Sequence, residues 1–130
     1  MAYNILIVDD SETVRAVISR TLEMAGAPIS NIYEAANGEE ALRLLREHWI
    51  DLVFSDINMP VMTGVEMIEH MQHDDLLKTV PVVVVSTEGS KTRIDNLMNK
   101  GVKAYIRKPF TPEKLKEILD SLLGDADHAQ

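Results

Sequence analysis

Ile5-Leu6-Ile7-Val8-Asp9-Asp10 is a run of four apolar residues that ends in two carboxylates. A short, continuously apolar run predicts a strand that is buried on both faces, here Ile5–Val8. The residues that follow predict an amphipathic helix, which is stopped by Gly26 and packs through Val14, Val17, Ile18, Thr21 and Leu22. This part of the chain is therefore expected to form one βα unit, with the carboxylates at the carboxyl end of its strand.

The same alternation of an apolar run and an amphipathic stretch occurs five times along the chain. The later strands are predicted at Ile32–Ala36, Leu52–Ser55, Val82–Val85 and Ala104–Arg107. Buried strands that alternate with helices indicate an α/β fold in which helices cover both faces of a parallel sheet. The expected architecture is a doubly wound, flavodoxin-like parallel sheet with the strand order 2-1-3-4-5.

Polar residues that can cap a helix precede several of the predicted helices. They are Asn37 with Glu40, Thr63 with Glu66, and Thr111 before Pro112. The helices from the second to the fifth are expected to pack through apolar residues at helical spacing: Ala41, Leu42 and Leu45; Val65, Ile68 and Met71; Ile94, Leu97 and Met98; Leu115, Ile118, Leu119 and Leu122. Gly124 is expected to end the last of these helices.

The length and composition fit one ordinary globular domain, with 130 residues of which 45% are hydrophobic and 26% are charged. Residues 1–124 are predicted to form this domain and residues 125–130 a polar tail. The formal net charge of -8 disfavours binding to nucleic acid or to an anionic membrane surface. The lack of cysteine fits a cytoplasmic location, and no segment resembles a signal peptide or a membrane span.

Polar residues follow most of the predicted strands at their carboxyl ends. Asp9 and Asp10 follow the first strand, Asp56 the third, Ser86 the fourth and Lys108 the fifth. Taken singly, these residues could be helix caps, turn residues or part of a solvated loop. The carboxyl ends of parallel strands lie along one edge of the sheet, so the side chains are predicted to meet there. The separate structural explanations do not account for this shared edge.

Three carboxylates that are crowded together repel one another and lose hydration, so the predicted cluster of Asp9, Asp10 and Asp56 needs a cation or a proton. Ligands that are all oxygen suit Mg2+, which binds few carboxylates and often binds phosphate oxygens as well. Zinc is disfavoured because neither histidine nor cysteine lies in the motif. With the ammonium group of Lys108 beside the bound cation, the charge of the site would be balanced when a dianionic phosphoryl group enters.

These motifs resemble those of response-regulator receiver domains, and the resemblance covers residues Ile5 to Gly124. The matching elements occur in the family's order and spacing: Asp9-Asp10, Asp56-x-x-Met59-Pro60-x-x-x-Gly64, Ser86 after a valine-rich strand, and Lys108-Pro109-Phe110 after Tyr105. The chain is most similar in type to stand-alone CheY-like regulators, which suggests two-component signalling and a possible place in chemotaxis.

The resemblance implies that Asp56 accepts a phosphoryl group from a histidine kinase or a phosphotransfer protein, with Mg2+ as the cofactor. Asp10 and Asp56 would bind the metal directly, and Asp9 would act mainly through water. The backbone carbonyl of Asn58 would complete the protein ligands. The chain would then be a signalling switch and not an enzyme, because it catalyses only its own phosphorylation and dephosphorylation.

Other residues take family roles around the phosphoryl group. Ser86 and Lys108 would each contact a phosphoryl oxygen, and the Lys108–Pro109 peptide is expected to be cis. Movement of Ser86 and inward rotation of Tyr105 would change the face made by the fourth helix, the fifth strand and the fifth helix. Asn58 and Glu88 would tune the rate of dephosphorylation. The changed face would bind a downstream protein, and the chain is expected to be a monomer or a weak phosphorylation-dependent dimer.

Ile57 departs from the family pattern, because many chemotaxis regulators have a tryptophan beside the phosphoacceptor. The only tryptophan here is Trp49, which follows the second predicted helix. Its emission is therefore not expected to report metal or phosphate binding strongly.

Several other functions are compatible with this fold class. The chain could be a single-domain phosphorelay intermediate, or a pseudo-receiver that binds partners without phosphorylation. A flavodoxin-like flavin binder would not need the acidic pair Asp9-Asp10 after its first strand. A haloacid-dehalogenase-type phosphatase would need Asp-x-Asp directly after a strand, and that spacing is absent.

Overall fold

Strands and helices alternate along the chain in a computed structural model, which describes residues 2–57, 59–87 and 91–124. The strands are β1 Tyr3–Val8, β2 Ile29–Ala35, β3 Leu52–Ser55, β4 Val82–Ser86 and β5 Ala104–Arg107. The helices are α1 Glu12–Met24, α2 Gly38–Glu47, α3 Gly64–Gln72, α4 Lys91–Asn99 and α5 Pro112–Leu119, and a π-helical turn Asp120–Gly124 follows α5. Within these ranges no helix is both long and apolar enough to cross a bilayer.

The strands form one parallel sheet in the order β2-β1-β3-β4-β5, so the predicted topology is confirmed. Successive side chains of the central strands point to opposite faces, and both faces are covered. Leu6 and Val8 lie in a core layer with α2, α3 and α4, whereas Ile5 and Ile7 lie in a layer with α1 and α5. Burial on both faces is the reason that these strands are continuously apolar.

The predicted bounds of some elements were wrong, most clearly in β2. This strand begins at Ile29 and ends at Ala35, whereas the apolar run predicted Ile32–Ala36. It is an edge strand with several exposed residues, so its apolar pattern is weak. Its start is set by β1, because Ile29 is in register with Tyr3 and the Tyr3 amide donates to the Pro28 carbonyl at 2.8 Å.

Two residues predicted to pack inward are exposed instead. Val17 is 52% exposed and Met98 is 43% exposed. In α1 the buried residues are Ile18 and Leu22, one turn apart, and Val17 lies about 100° around the helix from Ile18. In α4 the buried residue is Leu97, and Met98 is displaced from it in the same way. The buried stripe of each helix is therefore narrower than the apolar pattern suggested.

The predicted helix caps are present. The Asn37 side chain accepts from the Glu40 amide at 2.9 Å, and Thr63 and Glu66 form a reciprocal capping box. The Thr111 hydroxyl accepts from the Lys114 amide at 3.2 Å, directly before the proline that opens α5. These caps satisfy amides that have no partner inside the helix, which is why such residues mark helix starts so well.

Gly64 holds the start of α3 against the segment that follows β3. Its amide donates to the Ile57 carbonyl at 2.8 Å. A Cβ atom at this position would collide with the Asp56 carbonyl oxygen and lie 3.0 Å from the Ile57 Cα atom. Both of these neighbours belong to the backbone and cannot rotate away. Gly64 is therefore required by close packing beside Asp56.

We expect Gly64→Ala to lower the free energy of unfolding by about 2 kcal/mol, because the added methyl group displaces backbone. Gly38→Ala is the matched control. Its Cβ would meet Met62, whose side chain can move, at 2.8 Å, and Gly38 begins α2, where alanine favours the helix. Its cost should stay below about 1 kcal/mol. Urea unfolding measures both values, and equal costs would contradict the role given to Gly64.

Candidate functional site

The pairing of β1 with β3 brings the predicted carboxylates together. Val8 and Ser55 are in register at the carboxyl ends of these strands, and the Asp56 amide donates to the Val8 carbonyl at 2.9 Å. Asp9 and Asp10 follow Val8 directly. One carboxylate oxygen from each of Asp9, Asp10 and Asp56 lies within 4.8 Å of the others. The sequence predicted that these groups meet at a common edge of the sheet, and the structure places them in one cluster there.

Asp9 is the most buried carboxylate of the cluster, at 2% exposure. Its Oδ1 accepts from the Ser11 amide at 2.9 Å, and its Oδ2 lies 3.5 Å from the Lys108 Nζ. A buried carboxylate needs partners of this kind to offset its lost hydration. The side chain of Asp9 is therefore already committed to an amide and an ammonium group, whereas Asp10 is exposed to solvent.

Asp56 is less buried than Asp9, but its surroundings clearly disfavour the ionised form of its carboxyl group. Burial is the main cause that raises the pKa of its carboxyl group above the ordinary value, and the charges of Asp9 and Asp10 raise that pKa further. The Ile57 amide, which donates to Asp56 Oδ1 at 2.8 Å, and the charge of Lys108 act in the opposite direction. Asp56 therefore holds its proton more tightly than an exposed aspartate, and a nearby cation would favour its ionised form.

Lys108 and Ser86 reach the same edge from β5 and β4. The Lys108 amide donates to the Ser86 carbonyl at 2.9 Å, and Ser86 is buried at the end of its strand. The Lys108–Pro109 peptide is cis, as expected. The Lys108 side chain is 22% exposed and its ammonium group lies beside Asp9. A hydroxyl thus stands at the end of β4, which lies next to β3, and a cation follows β5, the strand beyond β4.

Three other predicted residues are less informative. Tyr105 is partly buried and packs against the core layer of α2, α3 and α4. Its place on β5, in register with Val84, is compatible with a switching role without testing it. Asn58 and Glu88 lie outside the described residues, so their predicted contributions stay predictions.

Two residues that support the cluster were not found by sequence reasoning. Arg15 is 15% exposed, donates from Nη1 to the Asp9 carbonyl at 2.6 Å, and donates from Nε to Glu34 at 2.9 Å. The Ser55 hydroxyl donates to the Asp56 carbonyl at 2.7 Å. A serine at the end of an apolar strand was a usable signal for Ser55. Arg15 gave none, because its partners come from other elements.

The arrangement offers oxygen ligands to a hard cation. Three carboxylates face one ammonium group, and among the described residues neither histidine nor cysteine belongs to the cluster. Such a donor set suits Mg2+ better than zinc. The raised pKa of Asp56 also favours a cation at this site, because a divalent cation would compensate the negative charge of the ionised carboxylate. The residues present therefore fit a magnesium site.

The chain is similar in sequence and in fold to proteins of known family. The response regulator receiver domain family matches it over residues 5–120. Chemotaxis protein CheY1 of Helicobacter pylori is 37% identical over 124 residues, which cover 95% of this chain and 98% of that protein. The structure of the Vibrio cholerae chemotaxis protein CheY4 has a TM-score of 0.83 and 34% identity, and the match covers 95% of this chain and 100% of that chain.

A crystal structure of a CheX-CheY-BeF3-Mg2+ complex from Borrelia burgdorferi is also similar, with a TM-score of 0.80 and 31% identity. That match covers 92% of this chain and 87% of that chain. The strand order, the acidic cluster after β1 and β3, and the family match over most of the sequence agree with one another. This chain therefore belongs to the response regulator receiver domain family and is a homologue of the CheY chemotaxis proteins.

Proposed function

We propose that this protein is a Mg2+-dependent phosphoacceptor switch in which Asp56 receives a phosphoryl group from the phosphohistidine of a kinase or a phosphotransfer protein. The observation that carries the proposal is the convergence of Asp9, Asp10 and Asp56 beside Lys108. Membership of a family of signalling switches supports it. The chain would catalyse only its own phosphorylation and dephosphorylation.

The metal would be held by Asp10 and Asp56, with Asp9 acting through water and Asn58 contributing its backbone carbonyl. The commitment of Asp9 to Ser11 and Lys108 supports this division, since it leaves the exposed Asp10 as the accessible ligand after β1. The Borrelia burgdorferi complex contains Mg2+ and BeF3 together with CheY. When bound, Mg2+ neutralises charge on the oxygens of the transferred phosphoryl group.

The chemistry assigned to the chain's own residues is a simple displacement. A carboxylate oxygen of Asp56 attacks phosphorus, the P–N bond to histidine breaks, and the nitrogen keeps the electron pair. Lys108, whose ammonium group lies 3.5 Å from Asp9 Oδ2, pairs with one phosphoryl oxygen. The hydroxyl of Ser86 contacts another oxygen. Water later attacks phosphorus, which releases phosphate and restores the carboxylate, at a rate tuned by Asn58 and Glu88.

The output would be a changed protein surface. Ser86 and Tyr105 would couple the phosphoryl group to the face built from α4, β5 and α5. That face would bind a downstream protein, with no role in binding nucleic acid or in membrane insertion, and the chain would be a monomer or a weak phosphorylation-dependent dimer. Similarity to Helicobacter pylori CheY1 supports chemotaxis as the setting. Residues 1–124 would act as one receiver unit in the cytoplasm, with residues 125–130 as a tail.

Phosphorylation should depend on both Asp56 and magnesium. Intact mass after incubation with acetyl phosphate and Mg2+ should show one phosphoryl adduct on the wild-type protein. Asp56→Asn should show none, because the amide is a poor nucleophile. Asp75→Asn, at a carboxylate whose side chain is 94% exposed, is the matched control and should be modified normally. An adduct that forms equally well with EDTA would contradict the magnesium requirement. An adduct on Asp56→Asn would contradict the assignment of Asp56 as the phosphoacceptor.

Stability should depend on pH in the direction set by Asp56. Its pKa is raised on folding, so the folded state binds the proton more tightly than the unfolded state, and ionisation opposes folding. Without divalent ions, Asp56→Asn should therefore be more stable than the wild type at neutral pH. The difference should shrink as the pH falls through the raised pKa and should disappear below the ordinary value of 3.8.

Thermal unfolding of both proteins across this pH range, with EDTA, measures the effect. Saturating Mg2+ at neutral pH should stabilise the wild type more than Asp56→Asn, because a ligand stabilises the state that binds it. An Asp56→Asn protein that is less stable than the wild type at neutral pH in EDTA would contradict this assignment.

A further inference from the structure

A groove at the edge of the sheet opposite to the acidic cluster is unused by the proposed switch. It encloses about 470 Å3 and is lined by residues of 45–51 and 74–81, which are the segments around the ends of α2 and α3. A volume of this size is typical of binding pockets. Asp51 of this groove precedes β3, whereas Asp56 follows it, so the whole length of that strand separates the two sites.

Large apolar side chains are unusually exposed at this groove. Leu76 is 85% exposed and Trp49 is 79% exposed, the highest values among the exposed large hydrophobic residues that the structure describes. They come from two different segments and border the same cavity, whose floor includes the buried Ile50 and Leu77. Exposed apolar residues that cluster in this way mark interaction surfaces. Tryptophan is also one of the residue types that are enriched among the residues dominating binding energy at interfaces.

The exposed tryptophan is held in place by hydrogen bonds. The Trp49 indole N–H donates to Asp51 Oδ1 at 2.9 Å, and the Asn4 backbone amide donates to Asp51 Oδ2 at 2.8 Å. The Asn4 side-chain amide donates to the Trp49 carbonyl at 2.7 Å. Trp49 is therefore anchored to β1 before any partner arrives, and a preorganised side chain loses little entropy on binding.

The charge around the groove is negative. Three carboxylates line it, those of Glu47, Asp51 and Asp74, together with the basic side chains of Arg46 and His48. In addition, α2 ends at Glu47, so the negative end of its helix dipole lies at the groove. An apolar surface with an acidic rim is complementary to a partner that carries cationic groups next to an aliphatic side chain.

We propose that this groove docks a flexible protein segment in which arginine or lysine residues flank an aliphatic residue. The aliphatic side chain would lie between Trp49 and Leu76, and the cations would face Glu47 and Asp74. Because the groove and the acidic cluster lie at opposite edges of the sheet, the segment would bind whether or not Asp56 carries a phosphoryl group. Docking at this surface would tether the domain to a partner independently of the switch, and the inference does not depend on the proposed function.

The position of Trp49 provides a direct readout, since it is the only tryptophan in the chain. The probe is a synthetic peptide of alternating arginine and leucine. Two matched peptides replace either every leucine by serine or every arginine by glutamate. We expect the arginine–leucine peptide to shift Trp49 emission to shorter wavelength with saturable, micromolar affinity, as the indole leaves water. The two matched peptides should bind at least about tenfold more weakly.

Variants of the protein should map the binding to the groove. Leu76→Ser and Glu47→Lys should each weaken the arginine–leucine peptide about tenfold. Met24→Ser and Glu113→Lys are matched controls for lost apolar surface and reversed charge, and they lie on α1 and α5 at the other face of the sheet. They should leave the affinity unchanged. All four sites are exposed, and thermal unfolding of each variant verifies that it is folded.

Several results would overturn the inference. Unchanged affinity in Leu76→Ser, or equal weakening in Glu47→Lys and Glu113→Lys, would show that the peptide binds elsewhere or through general charge alone. Equal binding of the arginine–serine peptide would remove the aliphatic contact. A shift of Trp49 emission with protein concentration alone would identify a second copy of the chain as the occupant. A large change of affinity on adding Mg2+ with BeF3 would contradict independence from Asp56.

Discussion

The parallel pairing of β1 with β3 is the constraint on which the rest of the site depends. The hydrogen bond from the Asp56 amide to the Val8 carbonyl, 2.9 Å long, places groups of like charge side by side. Burial of the Asp56 carboxyl group raises its pKa, and the charges of Asp9 and Asp10 raise that pKa further, so the ionised form of Asp56 is disfavoured here. Burial of the central strands on both faces supplies the opposing stabilisation. The sheet core thus holds together carboxylates that would separate in a less rigid frame.

The backbone around the cluster is held more firmly than the groups assigned to the chemistry. Gly64 packs against Asp56, Arg15 holds the Asp9 carbonyl, and Ser55 holds the Asp56 carbonyl. By contrast, Asp10 is exposed and Lys108 makes a long ion pair with Asp9. Rigid positioning of Asp56 together with an adjustable cation suits the proposed binding of a metal and a phosphoryl group in succession.

The two edges of the sheet differ in the partners that they suit. The carboxyl ends of the strands present a small, strongly charged cluster that suits an inorganic ion and a phosphoryl group. The opposite edge presents exposed apolar side chains with an acidic rim at the end of α2, which suits a peptide. A short strand, β3, joins these regions without making them one site. The same fold would therefore keep the proposed signalling chemistry apart from the proposed docking surface.

The sequence alone determined the features that depend on local pattern. Apolar runs identified the strands, Asn37, Thr63 and Thr111 identified helix starts, and the residues after each strand identified the common edge, because burial, capping and strand direction act over short stretches. Only the tertiary structure decided the features that need partners distant in the chain. These include the first residue of β2, the exposure of Val17 and Met98, the hydrogen bond from Arg15 to the Asp9 carbonyl, and the groove at Trp49. Register, helix orientation and hydrogen bonds between separate elements are set by packing, and no local pattern encodes them.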